Sequence, residues 1–396
     1  VIPAFGACAP CSHCVPQPTG LALYVHIPWC VRKCPYCDFA SVALHGTFVP
    51  QQRYLDALRA DLDATASQAA GRTISSIYVG GGTPNLLAPD ALGALLEHAH
   101  TVLSVAQDCE ISMEANPGVG VPQRLRDFRA AGVNRLSLGV QSFDDTLLAR
   151  IGRVHDAAQA RDAAAEAART FGTWNLDLMI ALPGQSLDGV RSDLHAALEW
   201  GAPHMSVYTL TIEAHTPFAK NPPTLPDADR AADMHDLAID LLGAQGLDRY
   251  EVSAFARDGH ACQHNRNYWQ FGDYLGIGAG AHGKRSQGHH VVRQTRLRNP
   301  ERYMEHALQG RAVAQERIVP AADLPFEFLL NALRLTQGFA VASFEHCTGH
   351  SIRDIEPQLE TAVRQGWMVY DGTQAQPTRR GLDFLSDLQS LFLPTT

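Results

Sequence analysis

Short apolar runs alternate with longer amphipathic stretches through the first half of the chain. The runs Leu21–Ile27, Ser76–Val79, Glu110–Met113, Arg135–Val140, Asn175–Ile180 and His204–Leu210 are rich in Val, Ile, Leu and Tyr. They stop at Gly, Pro or polar residues, as short strands do. Between them the spacing predicts helices at about 50–70, 89–105, 122–131, 144–171 and 187–200, with another over 227–245. The alanine-rich stretch Ala157–Arg169 is a strong helix former. Strand–helix alternation implies a parallel sheet. Six strands within about 190 residues are too few for a closed eight-stranded barrel. They fit an α/β fold, an open partial (β/α)6 barrel, whose chemistry sits at the carboxyl ends of the strands.

The flanks read differently. Residues 1–20 are rich in Pro, Gly and Cys and read as an irregular arm. The barrel is expected over 21–245, and a less regular extension with many Gly, His and Arg residues over 246–310. From about 311 a second unit begins, with helices near 323–335 and 351–365. A hairpin signal follows at Trp367–Tyr370, with Asp371-Gly372 at its turn, and a last helix lies near 379–392. That order predicts a C-terminal α+β domain, winged-helix-like. Its seven basic residues against ten acidic ones argue against DNA binding.

Composition narrows the class. Apolar residues make up 45% and charged residues 18%, which excludes a disordered chain and a coiled coil. Lys plus Arg number 32 against 41 Asp plus Glu, a net charge of −9 with no basic block, so no nucleic-acid partner is expected. No apolar run approaches the roughly 18 residues of a membrane span. Of nine cysteines, six fall in the first 37 residues, and residues 1–20 lack the charged and apolar regions of a signal peptide. The expectation is a cytoplasmic chain whose clustered cysteines bind metal or do redox chemistry.

Cys30-x3-Cys34-x2-Cys37 follows the first strand, and Pro28 and Pro35 keep the segment from continuing as a helix. Three thiolates within eight residues can hold three irons of one cubane and leave the fourth open. The alternatives are a zinc site short of a ligand, or Cys34-Pro-Tyr-Cys37 as a redox pair that leaves Cys30 idle. Other strand ends carry chemistry too: Gly80-Gly-Gly-Thr-Pro84 after the second, Glu114 after the third, Gln141 after the fourth, then Arg153, and Asp177 on the fifth. Three glycines in a row let backbone amides approach a ligand, and without a Gly-Lys-Ser/Thr ending the run is no phosphate loop. His264-Asn-Arg-Asn-Tyr-Trp269 offers an imidazole beside two aromatic rings. Gly278-x-Gly280-x-x-Gly283 matches the dinucleotide fingerprint by letter only, since no βαβ unit surrounds it. Cys8-x2-Cys11-x2-Cys14 lacks a fourth cysteine and reads as an unligated flexible arm, with a metal or a second cluster as the alternative.

The run from Tyr24 to Cys37, Tyr-Val-His-Ile-Pro-Trp-Cys-Val-Arg-Lys-Cys-Pro-Tyr-Cys, closely resembles the opening of radical S-adenosylmethionine proteins. It is most similar to the branch around oxygen-independent coproporphyrinogen III oxidase, and the likeness extends to about residue 392. The resemblance implies a [4Fe-4S] cluster on Cys30, Cys34 and Cys37. It implies S-adenosyl-L-methionine held by Tyr24, Tyr36, Gly81, Gly82, Thr83, Glu114, Gln141, Arg153 and Asp177, with Gly276–Gly283 near the adenine. The oxidase's signature continues to another cysteine two residues after the third, where this chain has Phe39, and the chain begins only about thirty residues before the cluster. Both features are those of the heme-chaperone branch. That branch implies heme held by His264, Tyr268 and Trp269, an acceptor protein of unknown identity, and a flavodoxin or ferredoxin-type electron donor. The alternative is a radical oxidoreductase acting on a porphyrinogen. No residue is assigned as catalytic.

Overall fold

The structure is a computed structural model that describes residues 20–44, 49–118, 120–287 and 290–394. The expected arm, with Cys8, Cys11 and Cys14, lies outside the described residues.

The chain runs through β1 (Leu21–Ile27), α1 (Gln51–Ala66), β2 (Ile74–Gly81), α2 (Pro89–Val102), β3 (Val105–Ala115), α3 (Val121–Ala130) and β4 (Arg135–Gln141). It continues through α4 (Asp145–Arg150), α5 (Ala157–Thr170), β5 (Thr173–Ile180), α6 (Leu187–Leu198), β6 (His204–Thr209) and α7 (Ala228–Ala244). The strands β1 to β6 pair in parallel, each with the next. All six expected strands are present, four of them one to seven residues longer than the apolar run alone indicated.

Period-two alternation explains the barrel. Ile77 and Val79, Ile111 and Met113, Leu136 and Leu138, Leu176 and Leu178, and Met205 and Val207 all belong to the main hydrophobic core. The intervening residues Tyr78, Ser112, Glu114, Ser137, Asn175, Asp177 and Ser206 line an interior cavity. The apolar face holds the fold together, and the polar face is left for chemistry.

The helix expected over 144–171 is two helices. The Asp144 side chain caps α4 by accepting from the Thr146 and Leu147 amides. Asp156 and Gln159 form a capping box on α5. Each cap is worth about 1 kcal/mol. Between them Gly152 takes φ +72°, so two caps and a glycine override one amphipathic period.

The extension expected over 246–310 is part of the same sheet. It contains β7 (Ala254–Ala256), α8 (Gln263–Trp269), β8 (Asp273–Ile277), β9 (His282–Gln287), β10 (His290–Arg296) and α9 (Pro300–Ala307), followed by β11 (Val313–Ile318). β8 lies parallel to β1 on the side away from β2, a seventh parallel strand. β9, β10 and β11 extend the sheet antiparallel. Among the described residues the sheet has 12 strands and its two edges do not meet, so the barrel is open. Because β11 belongs to this sheet, the second unit expected from 311 starts only after Ile318.

The C-terminal unit contains α10 (Leu324–Ala332), α11 (Val341–Thr348), α12 (Glu356–Arg364), β12 (Met368–Tyr370) and β13 (Gln374–Pro377), with Phe339–Ala340 completing a 3-stranded sheet. Asp371 shapes the hairpin turn by accepting from the amides of Thr373 and Gln374, both at 2.8 Å. A second hydrophobic core fills this unit and takes in Phe271 and Val291 of the large sheet. No helix among the described residues is long and apolar enough to cross a membrane.

Candidate functional site

The cysteine loop is pinned at both ends. Trp29–Cys30 pairs in parallel with Val42–Ala43, the Val42 amide donates to Pro28 O at 2.8 Å, and Leu44 N donates to Cys30 O at 2.9 Å. Cys37 N donates to Cys34 O at 3.1 Å, a tight turn. Lys33 Nζ holds the returning strand through Phe39 O at 2.8 Å and Ser41 O at 3.3 Å. Arg32 Nη2 ties the loop to the α4–α5 break through Gly152 O and Arg153 O at 2.8 and 2.9 Å. A Cβ on Gly152 would stand 2.7 Å from Pro35 Cδ, so this close approach needs glycine.

Cys30, Cys34 and Cys37 are free, half-buried and line one cavity of about 640 Å³ that fills the barrel interior. Burial pushes the Cys37 thiol up, with the neighbouring Cys30 and Cys34 adding to it. Among the described residues no three His, Cys, Asp or Glu side chains converge as the ligands of one ion would. Cubane thiolates bind different irons and need no common point, so the donor set fits a cluster.

The cavity wall carries most of the other nominated side chains. Tyr36, Gly81, Gly82, Thr83, Glu114, Gln141, Arg153 and Asp177 all line it. The glycine run packs directly on β1 and the start of the cysteine loop: a Cβ on Gly81 would stand 2.5 Å from the His26 ring, and one on Gly82 2.5 Å from Trp29 O, so this close approach needs glycine. Glu114 accepts from Tyr78 Oη and from Gly81 N, both at 3.0 Å. Burial first, and Asp177 second, push its carboxyl up to about 7. Asp177 accepts from Ser137 Oγ at 2.9 Å and Asn175 Nδ2 at 2.8 Å, yet burial still raises its pKa.

Arg153 Nη2 donates to Asn116 Oδ1 and Gly139 O, both at 2.6 Å, and Nη1 lies 3.7 Å from Cys34 Sγ. Its Nε is buried without a partner. Gln141 holds φ +72°, an uncommon conformation for a side chain at a strand end. A buried orphan donor, the Gly81–Gly82 backbone on the cavity wall and two carboxylates fit a ligand with an ammonium, a carboxylate and a diol.

Two nominations move. Tyr24 lies outside the cavity lining. Its hydroxyl bonds His26 Nδ1 at 2.9 Å and its ring stacks on Tyr78 at 6.4 Å, so Tyr24 backs the wall rather than facing a ligand. Gly276–Gly283 also lies outside the lining, and the Gly278 amide donates to Asp61 Oδ2 and Tyr303 Oη behind β1. Asn116, which the strand-end reading missed, bonds Thr83 Oγ1 at 3.0 Å as well as Arg153. Its signal was its place two residues after Glu114 in Ser-Met-Glu-Ala-Asn-Pro.

At His264, expected to hold heme, the structure shows an imidazole engaged on both nitrogens within the fold. α8 packs against the opposite end of the barrel strands, where Glu110 of β3 accepts from the Gln263 and His264 amides, both at 3.2 Å. His264 is 0% exposed. Its Nδ1 bonds Ser76 Oγ at 3.0 Å and its Nε2 bonds Tyr268 Oη at 2.8 Å, so neither nitrogen is open to iron. Burial lowers its pKa to about 3. The Tyr268 ring packs edge-on against Tyr274, and the Arg334 guanidinium lies 4.2 Å from the Trp269 ring centre. The adjoining cavity is about 220 Å³, below the roughly 300 Å³ at which ligand pockets begin.

An open parallel barrel with three free cysteines after its first strand and a polar ligand-shaped interior defines a radical S-adenosylmethionine protein. The radical SAM superfamily model matches residues 24–197, and the HemN C-terminal domain model matches residues 319–384. The chain is 46% identical to heme chaperone HemW of Escherichia coli strain K12, over 94% of this chain and 98% of that one. It is 41% identical to heme chaperone HemW of Haemophilus influenzae, over 96% and 99%. The solved structure of coproporphyrinogen III oxidase HemN from Escherichia coli superimposes with a TM-score of 0.80 at 23% identity, covering 96% of this chain and 91% of that one, a likeness of fold. The chain belongs to the heme chaperone HemW family.

Proposed function

We propose that this protein binds heme and hands it to an acceptor protein, with a [4Fe-4S] cluster and S-adenosyl-L-methionine in its barrel. The observation that carries the reading is near-full-length similarity to heme chaperones at up to 46% identity. Phe39, standing where the oxidase signature has its extra cysteine, supports a chaperone over a decarboxylating enzyme.

Cys30, Cys34 and Cys37 would hold the cluster. Glu114 would take the cofactor's ammonium, Arg153 its carboxylate, and Asp177 and Gln141 its polar edges, with Gly81, Gly82 and Thr83 supplying the close backbone wall and Tyr36 a side of the cavity. When bound, the cluster and S-adenosylmethionine together supply one-electron redox chemistry. A flavodoxin or ferredoxin-type protein is the fitting electron donor, and the cytoplasm the fitting compartment for free thiols that hold such a cluster.

The test is anaerobic reconstitution followed by heme titration and transfer to apomyoglobin as a trap. About one heme per chain, released to the trap, is the expected result. A reconstituted protein that takes up no heme would overturn the reading.

A further inference from the structure

Exposed apolar side chains scattered singly over a surface carry no message, but a group of them around a cavity mouth does. Phe39 is 60% exposed, Val31 58% and Val154 52%, and all three line the mouth of the barrel cavity. They come from two separate segments. Val31 and Phe39 stand on the pinned cysteine loop, and Val154 stands in the break between α4 and α5. Lys33 fixes the Phe39 backbone through its carbonyl oxygen, and Arg32 fixes the break to the loop. This apolar rim is therefore held in place before any ligand arrives. It lies outside the polar chamber, where Glu114 and Asp177 stand half-buried on the barrel strands.

Two cations border the same mouth. Arg32 is exposed and uses only Nη2 in its bonds to Gly152 O and Arg153 O. Arg124 also lines the cavity, with its Nη2 donating to Leu87 O. A broad apolar rim beside guanidinium groups complements a flat apolar ring that carries carboxylates.

We infer that heme docks face-on over the mouth of the barrel, against Val31, Phe39 and Val154, with its propionates toward Arg32 and Arg124. This inference rests on the chaperone reading and places heme away from the buried, hydrogen-bonded His264.

The experiment is a heme titration of the anaerobically reconstituted full chain, followed by Soret absorbance. The variants are Phe39→Asp, Val154→Asp and, away from the mouth, Val369→Asp on the β12–β13 hairpin, where Val369 is also 60% exposed. Placing a carboxylate under an apolar ring face and removing its contact area should weaken binding at least tenfold for Phe39→Asp and for Val154→Asp. Val369→Asp should bind as the unaltered protein does. Iron content and circular dichroism on the same samples show whether the cluster and fold persist. Val154 lies outside the cysteine loop, so its variant still decides the matter if Phe39→Asp loses iron.

Unchanged heme affinity in both rim variants overturns the docking site while leaving the chaperone reading intact. Weakening by Val369→Asp alone moves the site to the C-terminal unit. Loss of reduction by a flavodoxin with heme affinity unchanged would make the rim a protein-docking surface and likewise overturn the inference. Absence of heme binding in the unaltered protein is the separate failure, that of the chaperone reading itself.

Discussion

With Glu114 as the proposed partner of the cofactor's ammonium, affinity for S-adenosylmethionine is expected to depend on pH. The Glu114 carboxyl is buried, faces Asp177 across the cavity and titrates near 7, against an ordinary value of 4.5. In the protein without cofactor, the raised pKa means that the folded state holds this proton more tightly than the unfolded chain does. The stability it contributes is complete below about 4.5 and is lost as pH rises through about 7, amounting to about 3 kcal/mol at 1.36 kcal/mol per unit. Only the ionised carboxylate can pair with the cofactor's ammonium. Below pH 7 binding must therefore expel a proton, and each further unit costs about 1.4 kcal/mol, or tenfold in affinity. At pH 6 the dissociation constant should be about tenfold above its plateau. Near pH 8 the ammonium itself begins to deprotonate, with an ordinary α-amino pKa of about 7.8, and affinity falls again. Glu114→Gln should bind about ten- to a hundredfold more weakly, the worth of a charge-assisted hydrogen bond, and should be flat from pH 6 to 7.5. Asp177→Asn removes the second cause of the shift and should move the acidic limb to lower pH. Equilibrium dialysis with radiolabelled cofactor on the reconstituted protein measures all three. A profile for the unaltered protein that is flat between pH 6 and 7.5 would refute the assignment of Glu114 to the ammonium.

Four further outcomes follow from the site and its supports. Cys34→Ala should lose iron and the roughly 400 nm absorbance of a thiolate-held cubane, whereas Cys347→Ala in the C-terminal unit should keep both. The reconstituted protein should not convert coproporphyrinogen III to protoporphyrinogen IX, and chromatographic detection of the decarboxylated product would favour the enzyme reading. His264→Ala removes the bonds to Ser76 and Tyr268 and leaves a void beneath Tyr78, so chemical denaturation should show a loss of about 2–4 kcal/mol with the heme Soret band unmoved. Asp61→Ala strips Arg296 of its buried carboxylate and removes the acceptor of the Tyr303 hydroxyl, and should cost about 3–5 kcal/mol in the same assay.

What the sequence makes legible divides along a physical line. β2 to β6 announce themselves because one face of each strand is apolar and packs on helices, and that information is local. The carboxyl ends of these strands then carry Glu114, Gln141 and Asp177, so a general rule of parallel sheets finds the chamber. β8 escapes because its five residues include Asp273, which reads as a loop residue until Arg72 and Lys284 neutralise it. Those partners lie 201 and 11 residues away, and no local window contains both. His264 fails for the same reason. Its run of aromatic neighbours resembles a ligand platform, but its role is decided by Ser76, 188 residues distant, and by Glu110, which caps its helix from inside the barrel. A motif states which groups are present, and only the fold states which of their lone pairs and protons are already used. At the cysteine loop the thiols remain unbonded to one another, and Arg153 Nε remains without a partner. At the His-Asn-x-x-Tyr-Trp helix both imidazole nitrogens are occupied. The first is built to receive a ligand, while the second braces Tyr78 and, through it, the carboxylate of Glu114.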